Sequence, residues 1–187
     1  MEKTLEVGIL SVVYQTARIL SKSLSFEEGA EEFLKILYSF WDVPYSYIAL
    51  YDRPNKVLRI VKSFGLSREE VERGVFKRGE GIIGKVYKMG VPVVLSDLHV
   101  SQYLNKTGLR DRLSGRETFV AVPIKVGEET VGVLAFFKEF KRESVEEGIK
   151  LAMILSAMLG MLYKISQRVE QEKQEWEEEK RMLTEAL

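Results

Sequence analysis

The sequence predicts an α+β fold, a central antiparallel sheet accompanied by helices and ending in one long carboxyl-terminal helix. Three observations point to it. Two segments of helical periodicity come before any strand signal. Between Tyr45 and Phe137 the apolar residues alternate in short runs joined by turn residues, without the crossover helices that a parallel sheet requires. After Ser144 the pattern turns helical and stays so, with Leu155, Leu162, Val169, Trp176 and Leu183 spaced by seven.

Residues Thr4 to Leu20 place Leu5, Ile9, Val12, Val13, Ala17 and Leu20 at helical spacing, which predicts an amphipathic first helix ending near Ser21. Ser25 and Glu28 have the spacing of a capping box. Ala30, Phe33, Leu34, Leu37 and Trp41 then form the apolar stripe of a second helix closed by Pro44. From Tyr45 the period becomes two: Tyr45 to Tyr51, the turn Asp52-Arg53-Pro54-Asn55, and Lys56 to Val61 read as a hairpin. Ser67 and Glu70 cap a short helix, Val75 to Lys77 form a brief strand and Pro92 to Leu95 another. Residues His99 to Gly115 have no clear period and read as a short helix and a loop. Thr118 to Lys125 and Thr130 to Phe137 make a closing hairpin around Gly127-Glu128-Glu129. Ser144 and Glu147 cap the last helix.

Composition removes several classes of function. At 187 residues with 45% hydrophobic content, the chain suits one domain plus an extension, expected as a helix over 1–22, a domain over 23–163 and a charged linker over 164–187. Twenty-eight basic residues balance 28 acidic ones, so no positive field favours nucleic acid or an anionic membrane. With no cysteine there is no thiolate catalysis, no disulfide and no cysteine-rich metal site. His99 is the single histidine, too little for a transition-metal or haem site or for a Ser-His-acid constellation. No run of eighteen apolar residues and no signal-peptide pattern is present, so the expected compartment is the cytoplasm and no membrane partner is expected.

The most informative stretch is Gly79-Glu80-Gly81-Ile82-Ile83-Gly84, followed by Pro92-Val93-Val94 and Asp97. Gly79-x-Gly81-x-x-Gly84 satisfies the dinucleotide-binding fingerprint, but only Ile82 to Met89 can be helical before Gly90, too short for a crossover helix. The strand before it, Val75-Phe76-Lys77-Arg78, is half charged, unlike the first strand of a doubly wound sheet. Together with Phe119-Val120-Ala121-Val122-Pro123-Ile124 and Val131-Gly132-Val133-Leu134, this stretch resembles the signature of GAF sensor domains across about 140 residues, and within that family is most similar to the amino-terminal domain of NifA-type activators.

The resemblance implies a GAF fold, with helices on one face of the sheet and a covered pocket on the other. It also implies a regulatory rather than catalytic domain, standing ahead of an AAA+ ATPase in a sigma-54-dependent transcriptional activator. Ser166 to Leu187 would be the linker, ten of its first sixteen residues being charged. No Walker A motif is present. The same fold in a histidine kinase or a cyclic-nucleotide phosphodiesterase would look alike, and a ligand-free structural dimerisation module is a further alternative. A GAF-fold methionine sulfoxide reductase needs the cysteines this chain lacks.

Candidate pocket residues are Tyr47, Phe64, Tyr103 and Thr118, with Arg110, Arg112 and Arg116 as anion donors able to grip a carboxylate or phosphate in two places. Either one of these arginines binds an effector, for which the resemblance offers 2-oxoglutarate, or all three lie on the surface. The pocket aromatics equally fit an ordinary sheet core. No cofactor and no metal are expected. The seven-residue repeat predicts a homodimer, with Leu5, Ile9 and Val12 of the first helix and Leu155, Leu162, Val169 and Trp176 of the last as interface. The alternative is an unpaired helix. Its other partner would be a small-molecule effector or a regulatory protein.

Overall fold

The computed structural model describes residues 2–96, 112–141 and 143–187, with side chains from residue 8 onward. Two helices open the chain, α1 (Glu2–Lys22) and α2 (Phe26–Trp41). The hairpin follows as β1 (Tyr45–Asp52) and β2 (Val57–Phe64), then α3 (Arg68–Arg73), β3 (Val75–Lys77), α4 (Gly81–Met89) and β4 (Val93–Leu95). Then come β5 (Thr118–Val126), β6 (Glu129–Lys138) and α5 (Val145–Ala186). The six strands form one sheet in the order β3-β2-β1-β6-β5-β4, every pairing antiparallel. The expected α+β class and the antiparallel sheet are therefore present.

Local chemistry sets the ends of these elements. Ser25 Oγ accepts from the Glu28 N–H and Ser144 Oγ from the Glu147 N–H. Around Ser67 the exchange is reciprocal, since the Glu70 N–H donates to Ser67 Oγ at 3.2 Å and the Ser67 N–H to Glu70 Oε1 at 2.7 Å. Helix α2 stops before Pro44: Asp42 turns left-handed at φ 53° and the Val43 N–H reaches the Leu37 carbonyl. In the glycine motif, Gly79 and Gly81 take positive φ, and a Cβ on Gly84 would lie 2.3 Å from the Lys77 carbonyl oxygen. The three glycines thus serve a turn and a close helix-to-strand approach. Helix α4 has nine residues between antiparallel edge strands, which leaves no mononucleotide-binding crossover.

Alternation sorts the central strands cleanly. Val120, Val122, Ile124, Leu134, Phe136 and Ile48 face α1, α2 and α5, where Phe33, Leu34, Leu37, Leu151 and Leu155 complete one core. Tyr47, Ala49, Phe119, Ala121, Val133, Ala135 and Phe137 face the other way and pack beneath Ile82, Ile83 and Val86 of α4. Helix α5 has 42 residues, about 63 Å at the usual rise. An 18-residue window in it reaches a mean hydropathy of 1.5, long and apolar enough to cross a bilayer, yet Leu151, Ala152, Leu155, Leu159 and Leu162 are buried within the subunit, as in a core helix. From Lys164 onward its side chains are largely exposed.

Candidate functional site

The face of the sheet under α4 is the candidate site. Across five strands Val93, Ala121, Ala135, Tyr47 and Ser63 stand in register; β5 and β6 supply the two alanines of this row, and Ala49 of β1 lies in the next row, opposite Val133 and Ile60. These small side chains lower the floor at its centre. One end is walled by Phe119 and Phe137, ring centroids 4.9 Å apart, and Leu113 covers the same cluster. Burial pushes the Tyr47 phenol above its ordinary ionisation range, so it stays a neutral hydroxyl, able to donate and accept, at physiological pH.

Only part of the expected pocket lies on this floor. Tyr47 does. Phe64 does not: it packs with the helix-face core and its ring lies 4.8 Å from that of Tyr38 on α2. A β-bulge is the reason. Ile48 pairs with Lys62 and Ala49 with Ile60, so Val61 is an extra residue that inverts the facing of everything after it in β2. Lys62 accordingly reaches Glu31 on α2. Thr118 is buried but has the facing of Val120, towards the helices, and pairs with Lys138. Its strand is apolar on both faces, so no alternation marks which residues point where. Tyr103 and Arg110 lie outside the described residues, as does His99.

Arg112 and Arg116 are engaged elsewhere. Arg112 pairs through Nη1 with Glu70 Oε1, donates from Nη2 to the Gly65 carbonyl at 2.9 Å and lies over the Tyr45 ring at 5.2 Å. It fastens the approach to β5 onto α3 and β1. Arg116 is exposed and pairs with Glu139 at 3.5 Å. Just after them Glu117, which sequence reasoning missed, holds the turn into β5: it accepts from the Ser114 N–H at 3.2 Å, Ser114 Oγ at 2.9 Å and the Gly115 N–H at 3.1 Å. Burial acts to raise this carboxyl and is outweighed by those hydrogen bonds, leaving it below the usual range. A carboxylate with a depressed folded pKa adds stability above its unfolded pKa and loses it as pH falls through the folded one. Glu117→Gln should therefore unfold about 1–2 kcal/mol more easily at pH 7, the gap from wild type closing below about pH 4; urea titrations at both pH values check this.

The helical faces also differ from expectation. Val12, Leu155 and Leu162 are buried in the subunit's own core and Ile9 packs against it, so these four have little or no free surface for a partner. The sheet claims that side of α5 because β5 and α2 lie against it. The side chain of Leu5 lies outside the described residues. Val169 and Trp176 are exposed, and so are Leu10 and Tyr14 on α1 with Ile154, Met161 and Ile165 on α5, which lie outside the expected interface set. The signal for them was there, because the first half of α5 is apolar around more than one face, with Ile154, Met158, Met161 and Ile165 at their own helical spacing.

Comparisons with known proteins agree with this architecture. A family model described as a GAF domain matches residues 23–161. A Nif-specific regulatory protein of Herbaspirillum seropedicae is 31% identical over 182 residues, 95% of this chain and 33% of that protein. The nitrogen fixation protein VnfA of Azotobacter vinelandii is 32% identical over 130 residues, 68% of this chain and 25% of that protein. The chain thus spans a third or less of the length of these curated relatives. Among solved structures, the nlh2 GAF domain of A. aeolicus, described as in an inactive state, superposes with a TM-score of 0.78 at 37% identity, covering 86% of this chain and 98% of that one. The sheet order, the glycine motif in its turn and these matches lead to one conclusion: the chain belongs to the GAF domain family and is similar to Nif-specific regulatory proteins.

Proposed function

We propose that this GAF domain is the signal-sensing part of a NifA-like, sigma-54-dependent transcriptional activator. It acts as a homodimer and passes the occupancy of its α4 face, by a small molecule or a regulatory protein, to a downstream AAA+ ATPase. The observation that supports it most is the continuity of α5: one helix packs on β5 through Leu151, Leu155 and Leu162 and then runs on as an exposed rod. A ligand that binds one arrangement of the sheet better than another biases that rod by its differential affinity, typically about 1–3 kcal/mol. The domain is regulatory and not catalytic, works in the cytoplasm, and leaves contact with DNA to other parts of its protein. It has no membrane partner.

The dimer uses the exposed stripe of Leu10, Tyr14, Ile154, Met161 and Ile165 instead of the buried positions. Analytical ultracentrifugation should find a dimer at micromolar concentration, and Ile154→Glu with Met161→Glu should sediment as a folded monomer. A wild-type monomer at high micromolar concentration defeats the proposal.

A second reading, a ligand-free dimerisation module, draws on the full burial of Ala49, Ala121 and Ala135 under the chain's own residues. Native mass spectrometry of protein purified from its own host separates the two. A receptor retains a metabolite or melts higher with 2-oxoglutarate, whereas a module shows two bare chains and no thermal shift.

A further inference from the structure

At one end of the α4 face Tyr45, Phe137 and Phe119 form the row next to Tyr47, Ala135 and Ala121. Residues 112–117 cross this row on their way into β5, with Leu113 buried in the same cluster and Arg112 over the Tyr45 ring. The Arg112 end of this strap is held by an incomplete ion pair. Arg112 meets Glu70 through one nitrogen and one oxygen, where a full guanidinium–carboxylate pair uses two of each. Glu70 Oε2 is buried without a hydrogen-bond partner, and buried polar groups are seldom left so. Of the five N–H groups a guanidinium carries, Arg112 gives one to Glu70 and one to the Gly65 carbonyl. Its side chain is 43% exposed against 6% for Glu70, so the cation leaves for water or for another anion more easily than the carboxylate does.

We propose that Glu70 is a built-in competitor: in the ligand-free domain it occupies Arg112, and a small carboxylate bound on the α4 face takes the arginine from it, drawing Leu113 off the row. The inference rests on reading that face as a receptor. The chemistry around Arg112 sets the ligand class. Glu70 already shows this arginine accepting a planar carboxylate, and the N–H groups left over can grip another in two places. Tyr47, one row further in, stands about 7 Å along β1 from Tyr45. It offers a neutral hydroxyl, with that of Ser63 beside it in register. A short oxo acid or dicarboxylate spans from the arginine to these hydroxyls. Opening the strap also admits water to both Glu70 oxygens, so the carboxylate is not stranded. Because the closed strap is the state that does not bind, the apparent dissociation constant exceeds the intrinsic one by the inverse of the open fraction. Glu70 thereby sets the effector concentration at which the domain responds.

Glu70→Gln removes the charge that holds Arg112 and keeps an oxygen for the Ser67 N–H, so α3 retains its cap. In the whole chain, hydrogen exchange of residues 113–117 should quicken about tenfold in this variant. Calorimetry with 2-oxoglutarate as the probe should find it bound about tenfold more tightly than by wild type. Arg112→Met should quicken the same exchange and remove the binding. Unchanged exchange in both variants overturns the strap. Quicker exchange in Glu70→Gln, with the probe bound no more tightly than by a wild type that does bind it, overturns the competitor and leaves the receptor standing. No heat from wild type or from Glu70→Gln defeats the carboxylate receptor on which the inference rests. Should Glu70→Gln fail to fold, Arg112→Met at its half-exposed position decides alone: unchanged exchange overturns the strap, and undiminished binding overturns the competitor.

Discussion

Replacing Lys138 by methionine is expected to lower the unfolding free energy by about 3–5 kcal/mol. Lys138 ends β6, and its side chain is 5% exposed, with Nζ 2.8 Å from the Glu143 carboxylate, itself 9% exposed. The Trp41 indole N–H donates to the other Glu143 oxygen at 3.0 Å, and the ammonium lies over the Trp41 and Phe140 rings at 5.5 and 5.4 Å. Deleting the lysine leaves a carboxylate buried with one neutral donor. Urea denaturation measures the loss, and the double variant Lys138→Met with Glu143→Leu should recover most of it, since an apolar pair of similar volume carries no stranded charge. A single-variant loss below about 1 kcal/mol would mean that the pair is solvated. The cluster joins the end of β6 to α2 and to the residue before the Ser144 cap of α5.

Phe136→Ala should cost a similar amount, about 3–5 kcal/mol, by a different route. Phe136 is fully buried near the end of β6, opposite Val120 and Ser46 and with its ring 5.3 Å from Trp41. Truncation leaves a cavity between the sheet and α2 that close-packed neighbours fill only in part. In a chain of this size such a loss lowers the melting temperature by roughly 6–20 °C. Phe40→Ala, at an exposed position on the same layer of helices, is the control and should shift it by no more than about 2 °C. Equal effects at the two positions would contradict the assignment of Phe136 to the shared core.

Much of the fold was legible because it rests on local signals. Ser67 with Glu70 makes a capping box in both sequence and space, and Gly90 stops α4 in the left-handed conformation expected of it. The hairpin turn at Asp52 to Asn55 forms with the Asn55 amide on the Asp52 carboxylate at 2.7 Å. The two final strands pair as their alternation predicts. The candidate site was less legible. Phe64 was misplaced because one extra residue at Val61 inverts a strand, and a bulge in β2 has no signature when the residues around it are Ile60, Val61 and Lys62. Arg112 looked like a free cation until the fold brought it against Glu70, 42 residues away.

The sequence by itself determined the order of helices and strands, their caps and turns, the antiparallel sheet and the family, since each depends on residues a few positions apart or on a spacing repeated along the chain. Tertiary structure alone decided which face each side chain serves. Tyr47 went to the floor under α4 and Phe64 to the helices, Glu117 became a turn clamp, and Leu155 and Leu162 were drawn onto the sheet, leaving Met161 and Ile165 outside. The physical reason is that an apolar residue is satisfied by any surface that removes it from water. Periodicity states that a face will be covered; only contacts between distant segments settle by what.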